Sequence, residues 1–497
     1  MNSSPIALMG IDLGTSGTKT VIVDVEGNLL ANALYDYSIN APQPGWAEQN
    51  SETWYRAALT TMSQALRQSG LAAESIVAIS LGGQMHTTVC LDKKGKALRP
   101  AILWADQRSR QQVDQVYRQL GTEKLYAWTG NPLATGFMLA SWLWLRENEP
   151  DLCRSTATLL LPKDYLRYRL TGVLGSEPSD AASTLLFDPV HWKWSEPLLS
   201  ALQIDPGLLP DIHDSWEIAG GLLSEVAEAT GLRSGTPVIY GGSDQALQSL
   251  AQGVIEPGLI SCTIGTGGQL FSSTLKPLPD PALRIHFFCH VLPQVWHLEA
   301  ATLAAGLSLK WLRDNVVTGQ DYQSLANMAS QIAAGAEGLL FLPYLAGERT
   351  PLMDPNARAA FVGLTLRHDR RHMARAVMEG VVFGLRQGLD LMIEMGTPLE
   401  RILASGGATR HPLWLQLQAD IFQRPVYASS TQEATARGAA LLAGVGAKVY
   451  EDSRDACKQT VRQIGNPVLP QPENARLYED IYQTYCQIYP SLKNTGI

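Results

Sequence analysis

Apolar and polar positions along the chain follow two alternating periods. Short apolar runs rich in β-branched residues, such as 18–25 and 76–83, predict buried strands. Apolar residues three or four positions apart, as in 51–68 and 372–395, predict helices. The segment 178–188 shows neither period and predicts a loop. Strands that alternate with helices along the whole chain favour an α/β fold.

One strand–turn–helix unit, residues 238–253, carries an acidic residue at its turn. The apolar run 238–240 is broken by two glycines and a serine, and a segment of helical composition follows Asp244. Ligands of open α/β sheets bind at the carboxyl ends of strands, so Asp244 is a candidate general base. The alternative is that Asp244 only caps the following helix through its side chain.

Two glycine-rich turns of similar composition flank this unit. Residues 14–17 (Gly-Thr-Ser-Gly) separate two apolar runs, and residues 265–268 (Gly-Thr-Gly-Gly) do the same half a chain later. Backbone N–H groups and hydroxyls in such a turn can hold phosphate oxygens. A single copy is equally typical of an ordinary β-turn, and the first is not a Walker A loop because no Gly-Lys pair follows. The recurrence predicts two related lobes with phosphates bound between them.

Asp12 lies at the end of the first predicted strand, inside an apolar run. A carboxylate in that position is costly unless it meets a cation or hydrogen-bond donors. A magnesium ion held through water between Asp12 and phosphates would supply the cation. A hydrogen bond to the neighbouring loop would also satisfy the carboxylate, and the sequence leaves both interpretations open.

Polar residues and glycines follow three further predicted strands. His86 and Asp106 stand at strand exits on the same side of one sheet and are candidates to bind a polar ligand, although structural histidines are commoner. Gly406 and Gly407 form a late strand–helix turn that would let a purine or ribose approach the backbone. A plain strand–helix turn is the alternative.

Composition and charge argue against several classes of function. The 497 residues are 45% hydrophobic and 17% charged, which is typical of a globular chain of about two to three domains. The net charge of −8 is spread without a basic block, so no nucleic acid partner is expected. No run is long enough to span a membrane, and the first residues lack the cationic segment of a signal peptide. Six scattered cysteines without paired spacing predict reduced thiols in a cytoplasmic protein.

Longer motifs resemble those of the FGGY family of carbohydrate kinases over essentially the whole chain. The second family signature is matched from 359 to 379 (AAFVGLTLRHDRRHMARAVME). The first signature is matched less well from 136 to 148, where Ser141 replaces the usual lysine. The resemblance implies two duplicated ribonuclease-H-like lobes of the actin and hexokinase type, with a sugar and nucleotide cleft between them. It divides the chain into a sugar-binding lobe, 1–247, and a nucleotide-binding lobe, 248–497, and is compatible with a homodimer.

Within the family, several segments are most similar to members that phosphorylate D-xylulose with ATP and Mg²⁺. They include PGWAEQ, GQMH, TGNP, PKDYL, SDAAST, FCHVLP and LPYLAGERTP. The resemblance implies that Asp244 is the catalytic base, with Asp12 as the second catalytic residue and the partner of Mg²⁺. The residues expected at the sugar are Met85, His86, Trp104, Asp106, Asp244 and Gln245. Those expected at the nucleotide are Thr15, Ser16, Gly17, Lys19, Gly265, Thr266, Gly267, Gly306, Gly406, Gly407 and Arg410.

Two positions depart from the pattern of those members and keep other substrates open. Gln245 stands where asparagine is usual and resembles glycerol kinases, and Ala105 resembles gluconate kinases. Gluconate, ribulose or another polyol is therefore the alternative substrate. A non-catalytic, actin-like ATP-binding protein is the remote alternative, which the combination of His86 and Asp244 disfavours.

Overall fold

Two large sheets organise the chain, one in each half. The computed structural model describes residues 5–429, 431–461 and 465–493. The strands of the first half are β1 Ala7–Leu13, β2 Gly17–Asp24, β3 Leu29–Asp36, β4 Glu48–Gln49, β5 Ile76–Gly83, β6 Val89–Leu91, β7 Ala101–Ile102, β8 Thr158–Leu160, β9 Phe187–Asp188, β10 Lys193–Trp194, β11 Ile218–Gly221, β12 Pro237–Ile239 and β13 Gly242–Ser243. Those of the second half are β14 Gly258–Ile264, β15 Gly268–Thr274, β16 His286–Cys289, β17 Trp296–Thr302, β18 Leu340–Leu342, β19 Ala360–Val362, β20 Leu399–Gly406 and β21 Val426–Ala428.

Helices connect these strands and cover the faces of the sheets. The helices up to residue 252 are α1 Ser51–Ser69, α2 Arg110–Thr129, α3 Met138–Asn148, α4 Pro150–Ser155, α5 Pro162–Thr171, α6 Pro178–Ala181, α7 Glu196–Ala201, α8 Ser224–Thr230 and α9 Asp244–Gln252. The later helices are α10 Gly306–Asn315, α11 Tyr322–Ser330, α12 Arg370–Glu394, α13 Pro412–Phe422, α14 Ala434–Gly446, α15 Ser453–Thr460 and α16 Pro472–Lys493.

The two sheets share one strand arrangement. In the first sheet β1, β2 and β3 are antiparallel neighbours, while β5 runs parallel to β1 and β12 runs parallel to β5. In the second sheet β14, β15 and β17 are antiparallel neighbours, while β20 runs parallel to β14 and β21 runs parallel to β20. This repetition confirms the predicted α/β fold with two duplicated lobes.

The prediction of a loop over 178–188 is wrong. Pro178–Ala181 forms the short helix α6, a 3₁₀ turn follows over Ala182–Thr184, and β9 begins at Phe187. Proline at the first helical position and the Glu177 side chain, which accepts the N–H groups of Ser179 and Asp180, start this helix. Those capping contacts are local and do not generate a long apolar period, so periodicity alone misses them.

Two helices at the junction of the lobes are shared between them. α14, from the second half of the chain, packs on β1 and β5 of the first sheet, and α9 packs against α14. The predicted boundary between residues 247 and 248 falls inside α9 and stays a prediction. Over the described ranges, no helix combines the length and the apolar character required to cross a membrane.

Candidate active site

Asp12 and Asp244 stand at the same edge of the first sheet. Gly82 of β5 pairs with Asp12 of β1 on one side and with Gly242 of β13 on the other. Adjacent strands lie about 4.8 Å apart, so a single strand separates the two carboxylates. That strand ends in Gly82 and Gly83, which place no side chain between them. The negative charge of Asp12 is one of the causes that raise the pKa of Asp244.

Asp244 is the first residue of α9 rather than its N-cap. The N-cap is Ser243, whose side chain makes no capping bond. One oxygen of Asp244, Oδ1, accepts the N–H of Gln245 at 2.8 Å. Burial, followed by the charges of Asp12 and Glu299, raises the pKa of Asp244 well above its usual range. A carboxylate with a raised pKa is better able to accept a proton than an ordinary aspartate.

Asp12 is half-buried and makes no hydrogen bond or ion pair with any residue that the structure describes. Burial raises its pKa to about 6, although the opposing charge of Lys19, its cross-strand partner, lowers it. The Lys19 ammonium lies 2.8 Å from Glu433 Oε2, in the segment before α14. Asp12 therefore fits a cation bound largely through water and ligand oxygens, because no cluster of three acidic, histidine or cysteine side chains suited to a metal occurs in the described ranges.

The first glycine-rich turn joins β1 to β2. The Gly14 N–H donates to the Gly17 carbonyl at 3.0 Å, which closes the turn. The hydroxyl of Thr15 donates to Gln84 Oε1 at 3.1 Å and accepts the Trp104 indole N–H at 2.9 Å. The turn is thus tied to residues that follow β5 and β7, and Ser16 remains exposed at its tip.

The second turn joins β14 to β15 and packs on the start of α10. The Gly306 N–H donates to the Gly265 carbonyl at 2.9 Å, and the Leu307 N–H donates to the Thr266 carbonyl at 3.0 Å. A Cβ at Gly306 would lie 2.3 Å from the Gly265 oxygen, so only glycine allows this approach. The N-terminus of a ten-residue helix therefore lies beside an exposed Gly-Thr turn, an arrangement suited to anions.

A cavity of about 520 Å³ opens next to this second turn. Five predicted nucleotide residues line it together, namely Gly265, Thr266, Gly306, Gly407 and Arg410. Sequence reasoning missed the remaining wall, which the end of β14, the helices α10, α11 and α13 with the N-caps of α11 and α13, and the 3₁₀ turn after β20 supply with Ile264, Leu307, Leu309, Lys310, Asp321, Tyr322, Gln323, Ala326, Ala408, His411 and Trp414. The cavity has the size and the mixed aromatic and aliphatic walls of a small-molecule site. Most of these residues lie on helix faces, which have no fixed sequence motif, so no pattern along the chain could identify them.

His86 belongs to the first lobe, whereas the cavity just described belongs to the second. It follows the end of β5 by three residues. Its backbone has a left-handed φ of 68°, and its ring contacts Phe137 in a tilted arrangement with centroids 4.1 Å apart. The ring Nδ1 lies 2.7 Å from the Ser183 carbonyl, so Nδ1 carries the proton and donates. Burial lowers the pKa of His86 to about 3. The imidazole is therefore neutral, and its Nε2 is a hydrogen-bond acceptor.

The other predicted sugar residues lie in different environments. Met85 is buried, Gln245 is half-buried beside Asp244, and the Trp104 side chain is 37% exposed. Both carboxylate oxygens of Asp106 are already bonded, to the Arg108 guanidinium and to the Ala47 N–H. Asp106 thus anchors Arg108, and its role as a direct sugar ligand stays a prediction.

Two duplicated lobes with a glycine-rich turn in each and a polar cleft between them are features of the actin and hexokinase type of ATPase. Two family models match the chain and together cover most of its length. The N-terminal domain of the FGGY family of carbohydrate kinases matches residues 7–251, and its C-terminal domain matches residues 260–447. The chain belongs to the FGGY family of carbohydrate kinases.

Individual members of the family are similar over almost the entire chain. A xylulose kinase from Bacillus subtilis is 36% identical over 98% of this chain and 97% of its own length. A xylulose kinase structure from Lactobacillus acidophilus is 27% identical, covers 98% of both chains and gives a TM-score of 0.93. A gluconate kinase structure from the same organism is also 27% identical, with 98% coverage of both chains and a TM-score of 0.94. Overall shape therefore does not distinguish kinases of the two sugars.

Proposed function

We propose that the protein transfers the terminal phosphoryl group of ATP to the terminal hydroxyl of D-xylulose, producing D-xylulose 5-phosphate. The observation that carries the chemistry is Asp244, a carboxylate of raised pKa at the strand edge shared with Asp12. The choice of sugar is supported by 36% identity to a xylulose kinase over nearly the full length of both chains.

The nucleotide would occupy the cavity beside the second glycine-rich turn. Tyr322, Ala408 and Trp414 offer apolar surface for the purine, and Arg410 offers a cation at the same wall. Backbone N–H groups of the turns around Thr15 and Thr266 would receive the phosphate oxygens, with the N-terminus of α10 adding its positive end. The phosphate chain would then run from the second lobe towards Asp12 and Asp244.

Asp12 is the residue that fits magnesium. Its half-buried carboxylate has no side-chain hydrogen bond or ion pair within the described ranges, and burial raises its pKa to about 6. When bound, Mg²⁺ would neutralise charge on the phosphates. Asp12 would hold the ion through water, and Lys19, paired with Glu433, would contribute positive charge next to Asp12.

Asp244 would orient the terminal hydroxyl and accept its proton. Phosphoryl transfer proceeds through a loose transition state, so positioning and charge neutralisation contribute most of the catalysis. The half-buried position of Asp244 keeps its pKa high enough for proton uptake late in the reaction. Closure of the two lobes would exclude water and limit the hydrolysis of ATP.

The sugar would lie between Asp244 and His86. His86 Nε2 accepts a hydrogen bond from a sugar hydroxyl, because the Ser183 carbonyl holds the proton on Nδ1. Trp104, which is tied to Thr15, links the sugar side to the first phosphate turn. Gluconate is the second candidate, since Ala105 resembles gluconate kinases and the fold matches one with a TM-score of 0.94.

A substrate panel tests this proposal. Release of ADP is measured with D-xylulose, D-ribulose, gluconate, glycerol and pentitols at equal concentrations of ATP and Mg²⁺. We expect the highest kcat/KM with D-xylulose and little ATP turnover without sugar. A preference for gluconate or glycerol over every ketopentose would make the xylulose assignment wrong, and sugar-independent turnover would favour the non-catalytic alternative.

A cytoplasmic location is part of the same proposal. All six cysteines are free, and four of them are buried. Unpaired buried thiols are typical of proteins in reducing compartments. The predicted homodimer stays a prediction.

A further inference from the structure

The segment after β18 brings one arginine, Arg349, to the edge of the cleft. The Thr350 N–H donates to the Ala301 carbonyl at 3.1 Å, and the Leu303 N–H donates to Glu348 Oε1 at 3.1 Å. Ala301, the acceptor of the first bond, lies near the end of β17, and Leu303, the donor of the second, directly follows that strand. Thr302 of the same strand pairs with Gly268, which closes the second phosphate turn. Arg349 is therefore held next to the cleft by its own backbone neighbours.

The guanidinium of Arg349 is half-buried but forms no hydrogen bond or ion pair with the part of the chain that the structure describes. Other buried arginines are paired. Arg108 lies 2.7 Å from Asp106, and Arg375 lies 2.5 Å from Glu379. Because the guanidinium of Arg349 is unpaired and only partly covered, its donors are available to a ligand that enters the cleft at this position.

The groups around Arg349 also have unused hydrogen-bonding capacity. His286 of β16 is the cross-strand partner of Glu299 on β17. Glu299 Oε1 accepts a hydrogen bond from Gln269 at 2.7 Å, whereas Glu299 Oε2 and His286 Nδ1 have no partner among the described residues. Donors and acceptors that are both unsatisfied in one wall fit a ligand rich in hydroxyl and carbonyl groups.

This wall faces the sugar side of the cleft rather than the magnesium side. The centroid of the His286 ring lies 5.6 Å from that of Phe137, and Phe137 in turn contacts the His86 ring at 4.1 Å. The positive charge of Arg349 contributes to the lowered pKa of both His86 and His286. The charges that act on the pKa of Asp12 are instead those of Lys19 and Glu433.

We propose that Arg349 is a specificity-determining residue that donates hydrogen bonds to oxygens of a neutral sugar, with Glu299 Oε2 accepting from a hydroxyl next to it. The proposal deepens the proposed function and rests on it. A carbonyl or hydroxyl oxygen uses the guanidinium donors without adding charge. A sugar acid would bring its carboxylate towards Arg349 but also towards the unpaired Oε2 of Glu299, so the wall favours a ketose over gluconate.

Kinetics of Arg349→Met and Arg349→Lys in the full chain test this role. We expect Arg349→Met to raise the KM for D-xylulose about tenfold to a hundredfold, because a charged donor is lost from a buried site. Sugar binding without nucleotide, measured by calorimetry, should weaken to the same extent. The KM for ATP should stay within about twofold of wild type, since the nucleotide contacts are untouched. Arg349→Lys keeps the charge but loses the planar fork, and should show a smaller loss.

Two further variants make the test specific. Arg367→Met removes an exposed guanidinium that pairs with Glu337 and should leave every constant unchanged. Glu299→Gln keeps the shape but removes a negative charge, and should raise the kcat/KM of gluconate relative to D-xylulose. If circular dichroism shows that Arg349→Met does not fold, Arg349→Lys and Glu299→Gln test the proposal instead. An unchanged KM for the sugar in both variants overturns it.

The remaining outcomes separate this proposal from the proposed function. An Arg349→Met enzyme that loses affinity for ATP but not for sugar would place the guanidinium at the phosphates and overturn the inference. A wild type that prefers glycerol would overturn the xylulose assignment only. The effect of Arg349→Met on the KM for glycerol would then test the role of Arg349. A wild type that prefers gluconate would overturn both the assignment and the choice of a neutral sugar.

Discussion

At the scale of single residues, the chemistry depends on how burial changes ordinary side chains. Asp244 Oδ1 accepts the Gln245 N–H, and burial raises the pKa of the carboxylate well above its usual range. His86 is held neutral by burial and oriented by the Ser183 carbonyl. A base and a neutral acceptor thus lie on the same side of the cleft, as transfer to a hydroxyl requires.

Asp244→Asn should reduce kcat by about 10²–10⁴-fold while ATP affinity stays close to wild type, because the amide cannot accept the proton. Stopped-assay kinetics and ATP calorimetry measure the two effects. Asp480→Asn, an exposed position on α16, serves as the control. Wild-type turnover in Asp244→Asn would leave Asp244 with a structural role only.

The pH profile of the wild type gives an independent check on the same residue. The base form of Asp244 is lost as pH falls through its raised pKa, so kcat/KM should decrease on acidification at a higher pH than an ordinary aspartate would produce. His86 stays neutral over that range because its pKa is about 3, whereas Asp12, with a pKa of about 6, also titrates there, so the inflection that Asp244→Asn removes is the one expected from Asp244.

At the scale of elements, the two glycine-rich turns are built differently although their sequences are similar. The first is tied through Thr15 to Gln84 and Trp104, on the sugar side. The second packs on α10 and leaves the Thr266 side chain exposed towards the cavity. We therefore expect the first turn to contact both substrates and the second to serve the nucleotide.

Thr266→Val keeps the side-chain volume and removes the hydroxyl. We expect weaker ATP binding and slower transfer, by about the 0.5–1.5 kcal/mol of one hydrogen bond, with sugar binding retained. Calorimetry with each ligand separates the effects. Thr484→Val, exposed on α16, is the matched control. Unchanged ATP affinity and turnover in Thr266→Val would contradict a phosphate-binding role for this turn.

The segment after β18 carries a pH-dependent contribution to stability at Glu348. Burial raises the pKa of Glu348 from 4.5 to about 7, and its Oε1 accepts the N–H groups of Leu303 and Arg349. Below pH 4.5 Glu348 is protonated in both the folded protein and the unfolded chain. Between 4.5 and 7 only the unfolded chain releases the proton, so the free energy of unfolding falls as pH rises.

Glu348→Gln should remove that dependence, because glutamine keeps the acceptor and cannot ionise. Relative to the variant, the wild type should lose up to about 3 kcal/mol between pH 4.5 and 7. Urea unfolding at several pH values measures the difference. Parallel curves for the two proteins would contradict the raised pKa, and the exposed Glu400→Gln provides the control.

At the scale of the whole molecule, α9 and α14 hold the two halves of the chain together. Both helices belong to one buried cluster with the first sheet, which includes Leu8, Ile239, Leu247 and Ala439. The residue that permits their contact is Gly438, since a Cβ there would lie 1.9 Å from the Leu247 carbonyl. Asp244 begins α9, so this packing also positions its carboxylate, the proposed base.

Gly438→Ala should therefore destabilise the protein by about 1–3 kcal/mol or more, because the added methyl group collides with backbone. Thermal unfolding measures the loss, and kcat should fall as α9 shifts. Gly465→Ala is the matched control, because a Cβ at Gly465 meets no atom of the described residues within 4 Å. Equal melting temperatures for the two variants would contradict close packing at this junction.

The sequence by itself determined the elements and their duplication. Strands β1, β5 and β14 are apolar runs whose burial follows directly from composition, and the Gly-Thr turns recur because each lobe uses the same hairpin. Asp12, Asp244 and His86 could be identified because each stands at or just beyond the end of a strand, where the local pattern changes abruptly. Those signals are local, so one sequence is enough to detect them.

Only the tertiary structure decided which residues meet. Arg349, Glu299 and His286 come from three separate elements, and no spacing along the chain links them to His86. Asp106 followed a strand as a ligand would, yet Arg108 and Ala47 occupy both of its oxygens. Hydrogen bonds and burial are satisfied between segments distant in sequence, so the wall of a site depends on packing that local patterns do not encode.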